Sequence, residues 1–256
     1  MRIYAIGIDL AAGRGVTELA TLSFDLASDA PPAWLTDAYC ATHDDAALLA
    51  TVADALRLGD LRVIAIDAPL SLPAAVVAAL CGDTPGDGAS PSPYTRAAER
   101  DPYWRSVGIR PLPISFLGGL TFRALTLVPR LRALAPGATI IEVFPSATLA
   151  ALRPNNPSTQ AESSRRDGAA RRPKRRRQAK TTPASRAANQ ALLAHWIDGL
   201  PMLTLSDTQA PQAQQPLGAD LLDALAAALT GVFYARGRYR AIGDPLEGQI
   251  VLPQPQ

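Results

Sequence analysis

A mixed α/β sheet with helices packed on it is the fold class this sequence predicts, and three observations predict it. Two short apolar runs rich in β-branched residues, at 2–10 and 61–70, each carry an Asp towards their C-terminal end, Asp9 and Asp67. Two further strand-like segments follow the first run before any helical pattern begins, which is the order of a meander. Helical and strand-like segments then alternate along the rest of the chain.

Residues 2–10 have the length and composition of a buried central strand, although periodicity alone also allows a helix. Ala11-Ala12-Gly13-Arg14-Gly15 is a turn signal, and 16–24 alternate well enough for an antiparallel second strand. Beyond Pro31 and Pro32, residues 33–41 predict a third strand. Residues 44–58 read as an amphipathic helix capped by Asp44, with Leu48, Leu49, Val52 and Leu56 on one face. The fourth strand follows at 61–70. From there the pattern is irregular: a short helix at 72–80, a loop at 82–93 and a helical segment at 95–106. Residues 117–134 predict a helix that Pro129 kinks or divides. A strand at 139–145 and a short helix at 146–152, with Ser146 as candidate cap, come next. Residues 187–200 return to helix, 207–217 are polar, and 220–236 form a run of good helix formers. The tail at 241–253 has little periodicity. We expect one domain over 1–256, with a loop and helical insertion at about 71–115 and a basic flexible insertion at about 153–185.

Composition narrows the chemistry. An apolar fraction of 48% with 19% charged residues is that of a soluble globular protein, not of a disordered chain. No run approaches the roughly 18 apolar residues of a membrane span, and the N-terminus has no signal-peptide pattern. Cys40 and Cys81 lie far apart in no metal-ligand spacing, so two free thiols in a cytoplasmic protein are expected. With His43 and His195 the only histidines, a His-built zinc site or a Ser-His-Asp triad has little material. Carboxylates must carry any metal. Charge is split as well. Nine of the 25 basic residues and one of the 23 acids fall in 165–180, leaving 16 basic against 22 acidic residues elsewhere. An acidic body with one basic arm suits a cation on the body and an anion on the arm.

Asp9 either binds metal or caps the turn near Gly13. Asp220 and Asp223, three apart on a helix, project from one side and repel unless a cation or a basic group lies between them. Alone, Asp220 also reads as a cap or a first-turn acid favoured by the helix dipole. Together with Asp9 and Asp67 they can gather at one sheet edge and hold two divalent ions roughly 4 Å apart, the arrangement that cleaves phosphodiesters. Oxygen ligands without His or Cys favour Mg²⁺ or Mn²⁺ over zinc.

The sequence resembles the predicted RNase H-like nuclease family, a largely uncharacterised group. The matching residues are Gly7-Ile8-Asp9, Ala65-Ile66-Asp67-Ala68-Pro69, Glu142-Val143-Phe144-Pro145-Ser146-Ala147, the 220–230 helix and Ile242-Gly243-Asp244-Pro245-Leu246-Glu247-Gly248 with the apolar residues after it. The resemblance implies a ribonuclease H-like mixed sheet of order β-β-β-α-β-α-β-α. Asp9, Asp67, Asp220 and Asp223 match the acids of the Holliday-junction resolvase branch, on its first strand, fourth strand and last helix. Those resolvases pair as dimers, which makes a homodimer one expectation here. An Arg-rich family segment is matched by Thr95–Arg100 and by Gly108 to Pro111, with Ala98 where the family often has a Cys.

Glu142 is either a further metal ligand, a group bonded to one, or a salt-bridged structural acid. Arg96, Arg100 and Arg110 either contact phosphate oxygens or are simply solvated. The arm that contains Arg175, Arg176 and Arg177 either binds a nucleic-acid backbone without sequence preference or is a charged loop. His195 with Trp196 reads as helix packing. The leading expectation is a metal-dependent nuclease. Two other classes stay open: an idle nucleic-acid-binding module, and a phosphotransferase of the actin and sugar-kinase type, for which the chain is short.

Overall fold

Asp9 and Asp67 owe their positions to a sheet that is buried on both sides. The computed structural model describes residues 2–13, 15–26, 33–82, 92–153, 182–200 and 216–255, and of residues 37–39 the backbone alone. Strands β1 (Ile3–Asp9), β2 (Thr17–Phe24) and β3 (Ala33–Thr42) form the antiparallel meander. Helix α1 (Asp45–Leu58) then crosses to β4 (Asp60–Ile66), which runs parallel to β1. Helices α2 (Ala74–Cys81), α3 (Ala97–Arg100), α4 (Tyr103–Val107), a 3-10 turn (Ile114–Phe116) and α5 (Gly118–Leu134) precede β5 (Thr139–Val143). After it come α6 (Pro145–Leu152), α7 (Pro183–Ala194), the two-residue β6 (Ile197–Asp198) and α8 (Ala219–Ala235). A hairpin of β7 (Tyr239–Asp244) and β8 (Gly248–Pro253) ends the described chain.

Among the described residues the strands form one sheet in the order β6-β3-β2-β1-β4-β5-β8-β7. The antiparallel meander joined to parallel β1, β4 and β5 is a ribonuclease H-like sheet with flanking helices. Its two faces have separate cores. Ala5, Val63, Ala65, Ile141 and Val143 pack with α8 on one side. Tyr4, Ile6, Ile8, Ile64 and Ile66 pack with α1 and α5 on the other. Because β1 and β4 are covered on both faces, their sequences read as continuous apolar runs rather than alternating ones.

The backbone of α8 approaches β1 closely at Gly7, which explains the small residues of its sequence. A Cβ on Gly7 would fall on the carbonyl oxygen of Ala224 and the amide of Ala228, and 2.9 Å from the Ala228 Cα. Every clashing atom is backbone, so nothing can rotate away. Gly7→Ala is therefore expected to lower stability by about 1–3 kcal/mol or more, as overpacking does. The midpoint of urea unfolding measures it, and an unchanged midpoint would mean that α8 is not seated on β1 in this way.

Several expectations need correction. The tail predicted to lack periodicity forms the β7–β8 hairpin. Its inner strand β8 is flanked on both sides, buries four successive residues and so does not alternate. The helix at 117–134 runs unbroken through Pro129, which is exposed. Helix α6 starts at Pro145, with Phe144 as its cap, so Ser146 lies inside the first turn. The 95–106 segment divides into α3 and α4 at Asp101 and Pro102. Asp44 does cap α1, its side chain accepting from the Ala46 amide at 2.9 Å. Trp196 packs edge-on against Phe233 of α8, as the packing reading expects. The arm at 165–180, with Arg175, Arg176 and Arg177, lies outside the described residues, as does most of 82–93 and 207–217. Among the described residues no helix is long and apolar enough to cross a membrane.

Candidate active site

Register and alternation assemble the acidic edge. Ile8 pairs with Ile66 across the parallel strands, and the Asp67 amide donates to the Ile8 carbonyl at 2.9 Å, so Asp9 and Asp67 stand side by side. Ile8 and Leu10 pack with α1 and α5, as do Ile66 and Ala68. Asp9 and Asp67 fall between those residues and face the α8 side. The course of α8 follows from its contacts. Gly231 sits over Ala5 and Val63, whereas Ala224 and Ala228 sit over Gly7. Two residues of strand thus match four or five of helix, as their rises of about 3.3 and 1.5 Å require. One more such step brings the first turns of α8, with Asp220 and Asp223, to the level of Asp9. Asp9, Asp67 and Asp223 are half-buried, and Asp220 is exposed.

Among the described residues no three His, Cys, Asp or Glu side chains are gathered closely enough to hold a metal ion on their own. The structure thus sets Asp9 beside Asp67 but does not gather all four predicted acids into one ligand set. Mg²⁺ keeps several waters and is usually held by one or two carboxylates together with substrate phosphates, so Asp9 and Asp67 are the residues that could hold it.

Glu142 takes the salt-bridged role. It lies between Ile141 and Val143, both packed on the α8 side, so its side chain points to the opposite face. There it accepts from the Leu70 amide at 2.9 Å and from Arg96 Nη1 and Nη2 at 2.7 and 2.5 Å. Arg96 is 0% exposed and cannot meet a phosphate. Its Nε donates to Glu99 at 2.9 Å, and Nη1 also donates to Ser71 Oγ at 2.7 Å. Burial opposes charge on the guanidinium, but Glu142 and Glu99 more than offset this and raise its pKa. Burial pushes the Glu142 carboxyl up, against the opposing pull of Arg96 and the Leu70 amide.

Glu247 extends the network and was not singled out by sequence reasoning. Its carboxylate accepts from the amides of Ala74 and Ala97 at 2.7 and 2.5 Å, and its carbonyl accepts from Ser71 Oγ at 2.6 Å. The following Gly248 has φ +100°, and a Cβ there would strike the Ser71 hydroxyl. The loop after Asp67 is thus held from β5 through Leu70 and from the hairpin through Ser71. A usable signal was present in the sequence: an acid placed between a Pro turn and a Gly. Arg100 is exposed and lies 3.7 Å from Glu247, and Arg110 is exposed on the loop after α4. A cavity of about 190 Å³ at the edge is lined by Asp9, Asp67, Glu99 and Glu142, with apolar walls from Leu112, Leu117 and Phe144.

The sequence family described as "Protein of unknown function (DUF429)" matches residues 7–247 of this chain. The chain belongs to that family. The matched span starts at Gly7, under α8, and ends at Glu247, so it takes in the acidic edge of this DUF429 protein and its buried Arg96 network alike. No curated protein matches the chain. Among solved structures it is similar to RuvC of Thermus thermophilus, with a TM-score of 0.38 and 15% identity over 93% of this chain and 96% of that one.

Proposed function

We propose that this protein is a metal-dependent nuclease that hydrolyses phosphodiester bonds of nucleic acid, with Asp9, Asp67, Asp220 and Asp223 as its acidic site. The observation that carries the reading is that Asp9, the last residue of β1, and Asp67, the residue after β4, stand at neighbouring ends of parallel strands, towards the acidic first turns of α8. Two carboxylates side by side on a sheet repel one another unless a cation or a donor compensates them, which is what a bound divalent ion would do. Mg²⁺ or Mn²⁺ bound there would activate a water and stabilise the leaving oxygen. The chain's own part is to hold the donors. β1 fixes Asp9, the 67–71 loop fixes Asp67 through Leu70 and Ser71, and α8 brings Asp223 to a half-buried and Asp220 to an exposed position. Of the arginines that the sequence offers as phosphate contacts, Arg100 and Arg110 are the described ones with exposed side chains, and Arg175, Arg176 and Arg177 are further candidates from the sequence.

The test is cleavage of single-stranded, duplex, RNA–DNA hybrid and four-way-junction substrates in Mg²⁺ or Mn²⁺. Metal-dependent cutting of at least one is expected. Salt-sensitive binding without cutting of any would replace the nuclease with an idle binding module.

A further inference from the structure

We propose that the groove between α4, α6, α7 and the β7–β8 hairpin binds a few nucleotides of single-stranded nucleic acid. The groove measures about 880 Å³ and is walled in part by Tyr103, Arg153, His195, Trp196 and Arg240. Its lining joins two arginines, Arg153 and Arg240, with the rings of Tyr103, Trp196 and His195, and no described carboxylate is among them. It is the reverse of the edge cavity, which four carboxylates line.

The chemistry of the wall selects the ligand. A cationic groove that tracks a phosphate backbone, with rings for successive bases to stack on, is how proteins hold single strands without reading sequence. The rings here are set by packing. Trp196 meets Phe233 at 5.4 Å and His195 at 5.9 Å, both edge-on. Tyr103 meets Trp104 edge-on at 5.4 Å, with the Arg240 guanidinium 5.3 Å from its ring centre. Rings already fixed lose little freedom on binding. A duplex hides its base faces, so these rings favour an unpaired strand.

The groove also lies beside the acidic edge. Tyr103 touches Trp104, Trp104 touches Phe144 at 5.9 Å, and Phe144 lines the cavity that holds Asp9 and Asp67. A strand seated in the groove would therefore lie on the far side of this aromatic cluster from the acids. This last step rests on the nuclease reading; the binding itself does not.

The experiment is fluorescence anisotropy of labelled oligothymidylate with the full chain in EDTA, across a salt series. The variant is Arg153→Ala with Arg240→Ala, both exposed positions, with circular dichroism to establish folding. Affinity at low salt is expected to fall about 10-fold or more. The slope of log K against log salt is expected to shrink by about 0.7 for each arginine removed. Photocrosslinking of a 5-iodouracil strand is expected to mark the peptides that carry Tyr103 or His195 and Trp196. Unchanged affinity and slope in the folded variant, or crosslinks confined to 154–181, would overturn the proposal. Wild type that binds in this way but cleaves nothing would sink the nuclease reading and leave the groove standing.

Discussion

Replacing Asp9 with Asn is expected to abolish metal-dependent cleavage while leaving the protein folded. Groups that merely orient a metal ligand cost 10- to 100-fold when removed, so loss of a ligand itself should exceed about 100-fold. The substitution keeps the side chain's size and removes its charge. It also removes the repulsion between Asp9 and Asp67, which the register sets side by side. Thermal stability in EDTA is therefore expected to hold or to rise slightly, the usual trade at a functional site. Wild type should gain stability in Mn²⁺, because a ligand that binds only the folded state raises the melting point. The variant should gain little. Cleavage by Asp9→Asn at the wild-type rate would remove the acidic edge from the mechanism.

The edge was legible in the sequence because each of its parts is local. An Asp at the end of an apolar strand and a pair of acids three apart on a helix are patterns of a few residues, and the element order arranges them. The Arg96 network was not legible for the opposite reason. Arg96 and Glu142 are 46 residues apart, and Glu247 meets Ala74 and Ala97 across separations of 173 and 150. Nothing in the neighbourhood of Glu142 tells a metal ligand from an ion-paired acid. What separates them is the side of β5 on which it falls, one residue out of step with Ile141 and Val143. The same limit applies to strands. β8 is buried without alternating, and β6 has two residues, too few to carry a period.

Arg96→Met is expected to destabilise the protein by about 3–5 kcal/mol, the cost of leaving a buried charge without its partner. Methionine has about the right length and fills the space, so the loss is electrostatic rather than a cavity. It leaves Glu142, Glu99 and Ser71 without their common donor. Adding Glu142→Met to it should recover part of the loss, since a buried pair replaced whole is tolerated far better than one replaced by half. The pH dependence gives the argument a sign. The folded Glu142 carboxyl is already raised by burial, and Arg96 is its main opposing influence. Without Arg96 it rises further. A group whose folded pKa exceeds its unfolded value holds more protons when folded, so stability falls as pH rises through that window. The deficit of Arg96→Met should therefore be smaller at about pH 5 than at about pH 8 in urea unfolding. Because Glu142 bonds Leu70 and Arg96 bonds Ser71, both on the loop that follows Asp67, the same variant should also weaken Mn²⁺ binding. A variant that unfolds like wild type at both pH values would show that the pair is solvated and that the loop is held by other means.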